Sequence, residues 1–192
     1  MPGQIKIDDG AGNYTVLTNG GSLGSDKTIT IPNTTGTMAL TSDISAGGLT
    51  GLQQFRLTAN VVGSAGYITS NWEENDTDYE ALGSYISESS GVFSFSSTGK
   101  YLIHTMAMMY GTGYVNVQTQ VDSGDGTFTN RARCSGVGSS HENGASSQLF
   151  IDVTSTDFKV KLYCSNNNSG TTVYGDTDYN KTAITFMRIS DT

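Results

Sequence analysis

Proline and cysteine are almost missing from this chain, with two of each in 192 residues. Charge is sparse, at 15% of residues, and lopsided, with 10 Lys and Arg against 18 Asp and Glu for a net −8. No Lys/Arg cluster interrupts the acidity. That excludes a nucleic-acid backbone as partner, because such a backbone calls for a basic face. No stretch approaches the roughly 20 apolar residues of a membrane helix, so no membrane insertion is expected. The opening MPGQIKIDDG lacks the apolar run of a secretory leader, and the chain is expected to fold in a cytoplasm. Cys134 and Cys164 then read as two buried thiols in a reducing compartment. A disulfide, and after it a metal or catalytic role, are the alternatives. No window of a dozen residues sustains helical periodicity.

What is present is glycine, 24 of 192 residues against a usual share of about 7%. Ser, Thr and Asn accompany it, with 10 Tyr and many Val. This composition suits short strands joined by many turns, and the expected class is all-β with one sizeable core.

The organising stretch is GVFSFSSTGKYLIHTMAMMY, residues 91–110. Phe93 and Phe95 point to one face of a strand and Ser94 and Ser96 to the other; Ser97-Thr98-Gly99 turns the chain. The next strand, 101–109, is apolar on both faces, with Tyr101, Ile103, Ala107 and Met109 on one and Leu102, Met106 and Met108 on the other. A strand of that kind must be covered twice. One cover is the fold's own core. The other is a second layer, a ligand or another subunit.

Residues 1–44 have a different character: four apolar-polar pieces of about four residues, separated by Gly- and Asn-rich turns, with Tyr14 as the lone aromatic. Such pieces hold only against something else, and the segment reads as an extended arm. Residues 45–53 read as a flexible linker, with an ordinary inter-strand loop as the alternative. From residue 54 to 192 a head domain of about ten strands is expected, at 55–62, 67–72, 84–87, 92–95, 101–109, 114–122, 128–134, 148–153, 158–164 and 182–189. Strands 114–122 and 158–164 alternate cleanly and belong to a sheet with one wet face. The last, TAITFMRI, is two-sided, with Ile184 and Phe186 opposite Ala183, Met187 and Ile189; strand 148–153 sets Leu149 and Ile151 against Phe150. A second apolar face on several strands of one sheet fits a subunit interface, built by Leu102, His104, Met106, Met108, Phe150 and Met187. The alternative cover is the arm or a long loop of the same chain.

Candidate chemistry is thin. Three copies of His104 near a symmetry axis could hold a metal or an anion, but the favoured reading is a hydrogen-bonded interface histidine. His141 has no partner at zinc spacing. Asp122 and Asp125 in DSGDG, and Asp176 and Asp178 in YGDTDYN, could offer oxygens to calcium, or could simply form turns. Glu73, Glu74, Asp76 and Asp78 could supply a hydrolytic carboxylate pair, or be a solvated loop. There is no phosphate loop, no GxSxG and no His/Cys cluster. We therefore expect no enzyme, no metal and no cofactor. Tyr67, Tyr79 and, as the surface-recognition candidates, Trp72, Tyr110, Tyr174 and Tyr179 sit at or near strand ends, where aromatics can stack on sugars or anchor loops.

Two resemblances add to this. Residues from about 53 to 189, through the strand pair GVFSFSSTGKYLIHTMAMMY and the closing TAITFMRI, look like the jelly-roll trimer family of tumour necrosis factor and the globular heads of the first complement component. That family lines a threefold axis with the sheet that holds its first and last strands, which implies a TNF-like homotrimer here. No Gly-X-Y run precedes the domain. Residues 13–44, with TITIPNTTGTMALTSDI at their centre, are similar to a segment common in bacteriophage tail-fibre and other structural proteins, especially marine ones. The second resemblance implies a virion protein, assembled in the host cytoplasm. Its arm would meet other virion proteins, tail or capsid, through Ile5, Ile7, Tyr14, Leu17, Ile29 and Ile31. Its head would meet a host-surface glycan or protein. The competing expectation is a capsid decoration or head fibre without a receptor role.

Overall fold

The computed structural model describes residues 5–8, 11, 14–17, 48–63, 65–76, 79–139, 141–165 and 171–192. The chain divides into two units, Met1–Thr41 and Ser42–Thr192. In the first, β1 (Ile5–Asp8) pairs antiparallel with β2 (Tyr14–Leu17), Ile5 facing Leu17 across the ladder. Ile29 and Ile31 lie outside the described residues.

The second unit begins with β3 (Gly51–Leu57), β4 (Val61–Gly63), β5 (Gly66–Tyr67) and β6 (Trp72–Glu74). The hairpin β7 (Ile86–Ser89) and β8 (Val92–Phe95) follows, then the long strands β9 (Gly99–Tyr110), β10 (Thr112–Asp122), β11 (Thr129–Ser139) and β12 (Asn143–Val153). It closes with β13 (Lys159–Ser165), β14 (Thr171–Val173) and β15 (Ala183–Ser190). No helix occurs among the described residues.

These strands form two antiparallel sheets. One has six strands in the order β11-β10-β13-β8-β7, with β5 beside β13. The other has seven, in the order β4-β14-β9-β15-β3-β6, with β12 along the free edge of β9. β9 is thus the hub of the seven-stranded sheet, as expected of a strand apolar on both sides.

The core lies between the sheets. Phe93 is its centre, meeting Phe55 at 5.3 Å, Trp72 at 5.4 Å and Phe186 at 5.5 Å between ring centres; Phe95 meets Tyr101 at 4.9 Å. The offset-edge geometries of these pairs suit ring quadrupoles. The β7–β8 turn is Ser90-Gly91, both at positive φ, the mirror-image turn that matches strand twist. A Cβ on Gly91 would meet the Ile68 carbonyl oxygen at 2.2 Å. Gly99 opens β9 where a Cβ would press on the Ser190 backbone and the Arg188 guanidinium.

Three expectations are corrected. The expected linker 45–53 overlaps β3, which starts at Gly51, so the head does not begin at residue 54. The reason is Gln53, buried and saturated: the N–H groups of Tyr85 and Ile86 donate to its Oε1 at 2.6 and 2.7 Å, and its Nε2 donates to Ile86 O and Glu74 Oε1. Residues 55–62 and 67–72 are not continuous strands. The chain breaks at 58–60, and after Tyr67 it crosses from the six-stranded sheet to the seven-stranded one. Among the described residues ten expected strands become thirteen: the two splits add one each, and β14, a three-residue strand that composition does not mark, is the third.

The cysteines are both buried and free. Cys134 and Cys164 each pair with Val117 from opposite sides of β10. They therefore stand two strand spacings apart, roughly 10 Å, beyond the reach of a disulfide.

Candidate functional site: the outward face of the β9 sheet

Cross-strand partners share a face, so register assigns every residue of β12, β9, β15 and β3. Ile103, Phe186 and Gln53 turn inward in one row, Thr105, Ile184 and Phe55 in the next. The outward rows are built from the residues between. The first is Phe150, Leu102, Met187 and Leu52. The second is Gln148, His104, Thr185 and Gln54, and the third Ser146, Met106, Ala183 and Arg56. Gly144 beside Met108 begins a fourth.

The six expected interface residues therefore do share one surface. Leu102, His104, Met106, Met108 and Met187 are half-buried in the single chain, and Phe150 is 68% exposed. Leu82, joined to Leu52 by an isolated bridge, extends the first row with another exposed apolar side chain. The relief is uneven. Phe150 stands out as a knob. At the other end of β12, Gly144 and Ser146 leave a hollow of about 400 Å³, also lined by His104, Met106, Met108 and Lys181.

The middle row is polar and ordered. Gln54 donates to Thr185 Oγ1 at 2.7 Å and accepts from Asn75 and from Asn180 Nδ2 at 2.7 Å. Asn180 also lines the hollow, and its Oδ1 is buried without a partner. An unmet buried acceptor costs about 1–3 kcal/mol. Arg56 is held at the sheet edge by Glu73 and Asp76. The acidic run thus pins β6 and the following loop to β3 through Arg56, and through Glu74 with Gln53.

The surface-recognition candidates scatter. Trp72 is corrected: it is half-buried, edge-on to Phe93, and its indole N–H donates to Ile68 O at 3.0 Å, so it anchors the core. Tyr110 ends β9, half-buried and opposite Thr172. Tyr174 and the exposed Tyr179 flank Lys181, whose ammonium lies 5.7 and 5.1 Å from their ring centres. The hydrogen bond and charge of Asp176 raise the Lys181 pKa, with Tyr179 adding to it. The Asp178 N–H and then Lys181 hold Asp176 below the usual carboxylate range.

The possible calcium carboxylates are engaged in turns. Asp122 Oδ1 accepts from Gly124 N at 2.8 Å and Gly126 N at 3.0 Å, and Asp125 Oδ1 accepts from Thr127 N. Burial works against ionising Asp122, but these N–H groups outweigh it and its pKa falls. Among the described residues no three His, Cys, Asp or Glu converge as a metal site. His141 is exposed in the β11–β12 loop. Sequence reasoning missed Leu52 and Leu82 because both fall in polar or glycine-rich surroundings; only register reveals them.

No protein-family description matches the chain, and no curated protein matches it in sequence. Solved structures do. Murine APRIL at pH 8.5 aligns with a TM-score of 0.56 at 12% identity, over 72% of this chain and 98% of that one. Eiger TNF from S. frugiperda aligns with a TM-score of 0.57 at 12% identity, over 73% and 93%. Likeness at that identity is one of fold, and the second unit of this chain is a TNF-like jelly roll built from two antiparallel sheets.

Proposed function

We propose that the chain is a homotrimeric virion protein of a bacteriophage, joined to the particle through its N-terminal segment and presenting its jelly-roll head to a host-surface glycan or protein. The single observation that carries the trimer is the outward face of the β9 sheet: Phe150, Leu102, Met187 and Leu52 in one row, half-buried or exposed within the protomer. Large apolar faces of this kind mark interaction surfaces. The threefold arrangement is what the TNF resemblance implies. The virion setting is supported by TITIPNTTGTMALTSDI and its likeness to phage structural proteins. The reading is attachment and not catalysis: of the acidic run that could supply a carboxylate pair, Glu73 and Asp76 pair with Arg56 and Glu74 accepts from Gln53, while Asp78 lies outside the described residues.

Deleting residues 1–44 is the test. The product is expected to remain a soluble trimer by light scattering and to be lost from purified particles. A monomer removes the trimer, and incorporation of the truncated chain removes the attachment role of the segment. Antibody labelling at the capsid, away from any tail, would favour the decoration role.

A further inference from the structure

The wet face of the six-stranded sheet has a composition opposite to that of the whole chain. The molecule carries a net −8, yet Arg131, Arg133, Lys159 and Lys161, four of its ten basic residues, belong to this sheet. Lys159 and Lys161 face outward because Val160 and Leu162 between and beyond them are fully buried. Arg133 faces outward opposite Gln118, and Arg131 is the extra residue of the bulge between the Thr119–Ala132 and Gln120–Asn130 pairs. Among the described residues none of the four forms an ion pair. The outward-register carboxylate on β10, Asp122, is 3% exposed and spends its Oδ1 on two backbone N–H groups.

Between these cations lies an ordered array of rings and amides. Tyr67, 41% exposed, meets Tyr163 edge-on at 5.1 Å and Phe128 at 6.2 Å. The Lys161 ammonium lies 4.9 Å from the Tyr67 ring centre and 4.4 Å from that of Phe128, which fixes its position on the face. Tyr67 Oη donates to Gln120 Oε1 at 3.1 Å, Gln120 Nε2 to Gln118 Oε1 at 3.0 Å, and Gln118 Nε2 to Ser165 Oγ at 3.1 Å. The chain of bonds orients both amides, and each nitrogen keeps a second N–H for a ligand. Arg133, Gln118, Tyr163 and Tyr67 form one cross-strand row, about 14 Å long at the usual strand spacing.

We propose that this face binds an acidic saccharide. Sugar carboxylates pair with Lys161 and Arg133, the ring stacks against Tyr67 and Tyr163, and hydroxyls bond the Gln118 and Gln120 amides. Charge complementarity selects the anion, and the aromatic and amide groups select a hydroxylated ring over a simple polyanion. A nucleic acid fits less well, because its dense phosphates would also meet the −8 of the whole molecule. The proposal deepens the attachment reading by naming the ligand class, and rests on that reading for its biological setting alone.

The test is calorimetric titration of the full chain with a galacturonate oligosaccharide, its fully methyl-esterified counterpart and an oligothymidylate of matched charge. The free acid is expected to bind saturably and more weakly as salt rises. The ester and the oligothymidylate are each expected to bind at least about tenfold more weakly, as are Lys161→Gln, Arg133→Ala and Tyr67→Ala with the free acid, each a loss of about 1.4 kcal/mol. Val62→Ala, exposed on the other sheet, should bind like the wild type. Absence of saturable binding, equal binding of oligothymidylate, or wild-type affinity in all three sheet variants would overturn the proposal. Binding by a protein absent from virions would sink the attachment reading and leave this site standing; a virion protein that binds no galacturonate would do the reverse.

Discussion

Replacing Phe150 by alanine tests the proposed trimer at the most exposed apolar residue of the outward β9 face. A buried phenylalanine removes roughly 200 Å² from water. With 68% of Phe150 exposed in the protomer, roughly 140 Å² remains for a neighbouring subunit to cover. At about 25 cal/mol per Å² that is about 3.5 kcal/mol per copy, or about 10 kcal/mol for three. Ten kcal/mol is about seven decades in the association constant. Two concentration factors enter trimer dissociation, so the midpoint should move by roughly three to four decades in protein concentration. Sedimentation equilibrium over a wide concentration range reads this directly. Tyr114 is the control, because it is 73% exposed on the other sheet and Tyr114→Ala should leave the midpoint in place. A wild type that sediments as a single 20.3 kDa subunit refutes the reasoning. So does a Phe150→Ala variant that dissociates like the wild type.

Gln53→Ala should lower stability by about 3 kcal/mol, since it strands the buried N–H of Ile86 and the half-buried N–H of Tyr85. Urea unfolding measures it, and a loss under about 1 kcal/mol would mean that water replaces the amide. Burial raises the pKa of both Cys134 and Cys164, so neither should react with a disulfide reagent in the native state, and both should react in urea. Fast native labelling of either would contradict their burial. Asp122→Ala should lower the melting temperature at pH 7 by freeing two turn N–H groups. The folded-state pKa of Asp122 lies below its unfolded value. Its contribution is therefore present above the unfolded value, about pH 4, and is lost as pH falls through the folded one. The gap between variant and wild type should narrow below about pH 4; a gap that is constant to pH 2 would assign the effect to packing.

Much of the architecture was legible because strand periodicity is local. The alternation of β10 and β13, the two-sidedness of β9 and β15, and the Phe93–Phe95 core all follow from side chains two residues apart pointing the same way. What periodicity could not locate was a residue whose partner is distant in sequence. Gln53 looked like linker because a glutamine after a glycine-rich stretch is usually solvated. It is buried because Tyr85 and Ile86, over 30 residues away, need its carbonyl. Trp72 looked like a surface aromatic because it sits at a strand end, yet its indole turns to Phe93 while the acids after it answer Arg56.

Sequence alone sufficed for the class, the inward and outward faces of β9, β10, β13 and β15, and the existence of an apolar surface beyond the core. Tertiary structure decided which residues share that surface, by setting register across β12, β9, β15 and β3. It also gathered bases that never cluster along the chain onto one wet sheet. Period two is a property of a single strand, whereas a surface is a property of strands side by side, and pairing is settled only when the core closes.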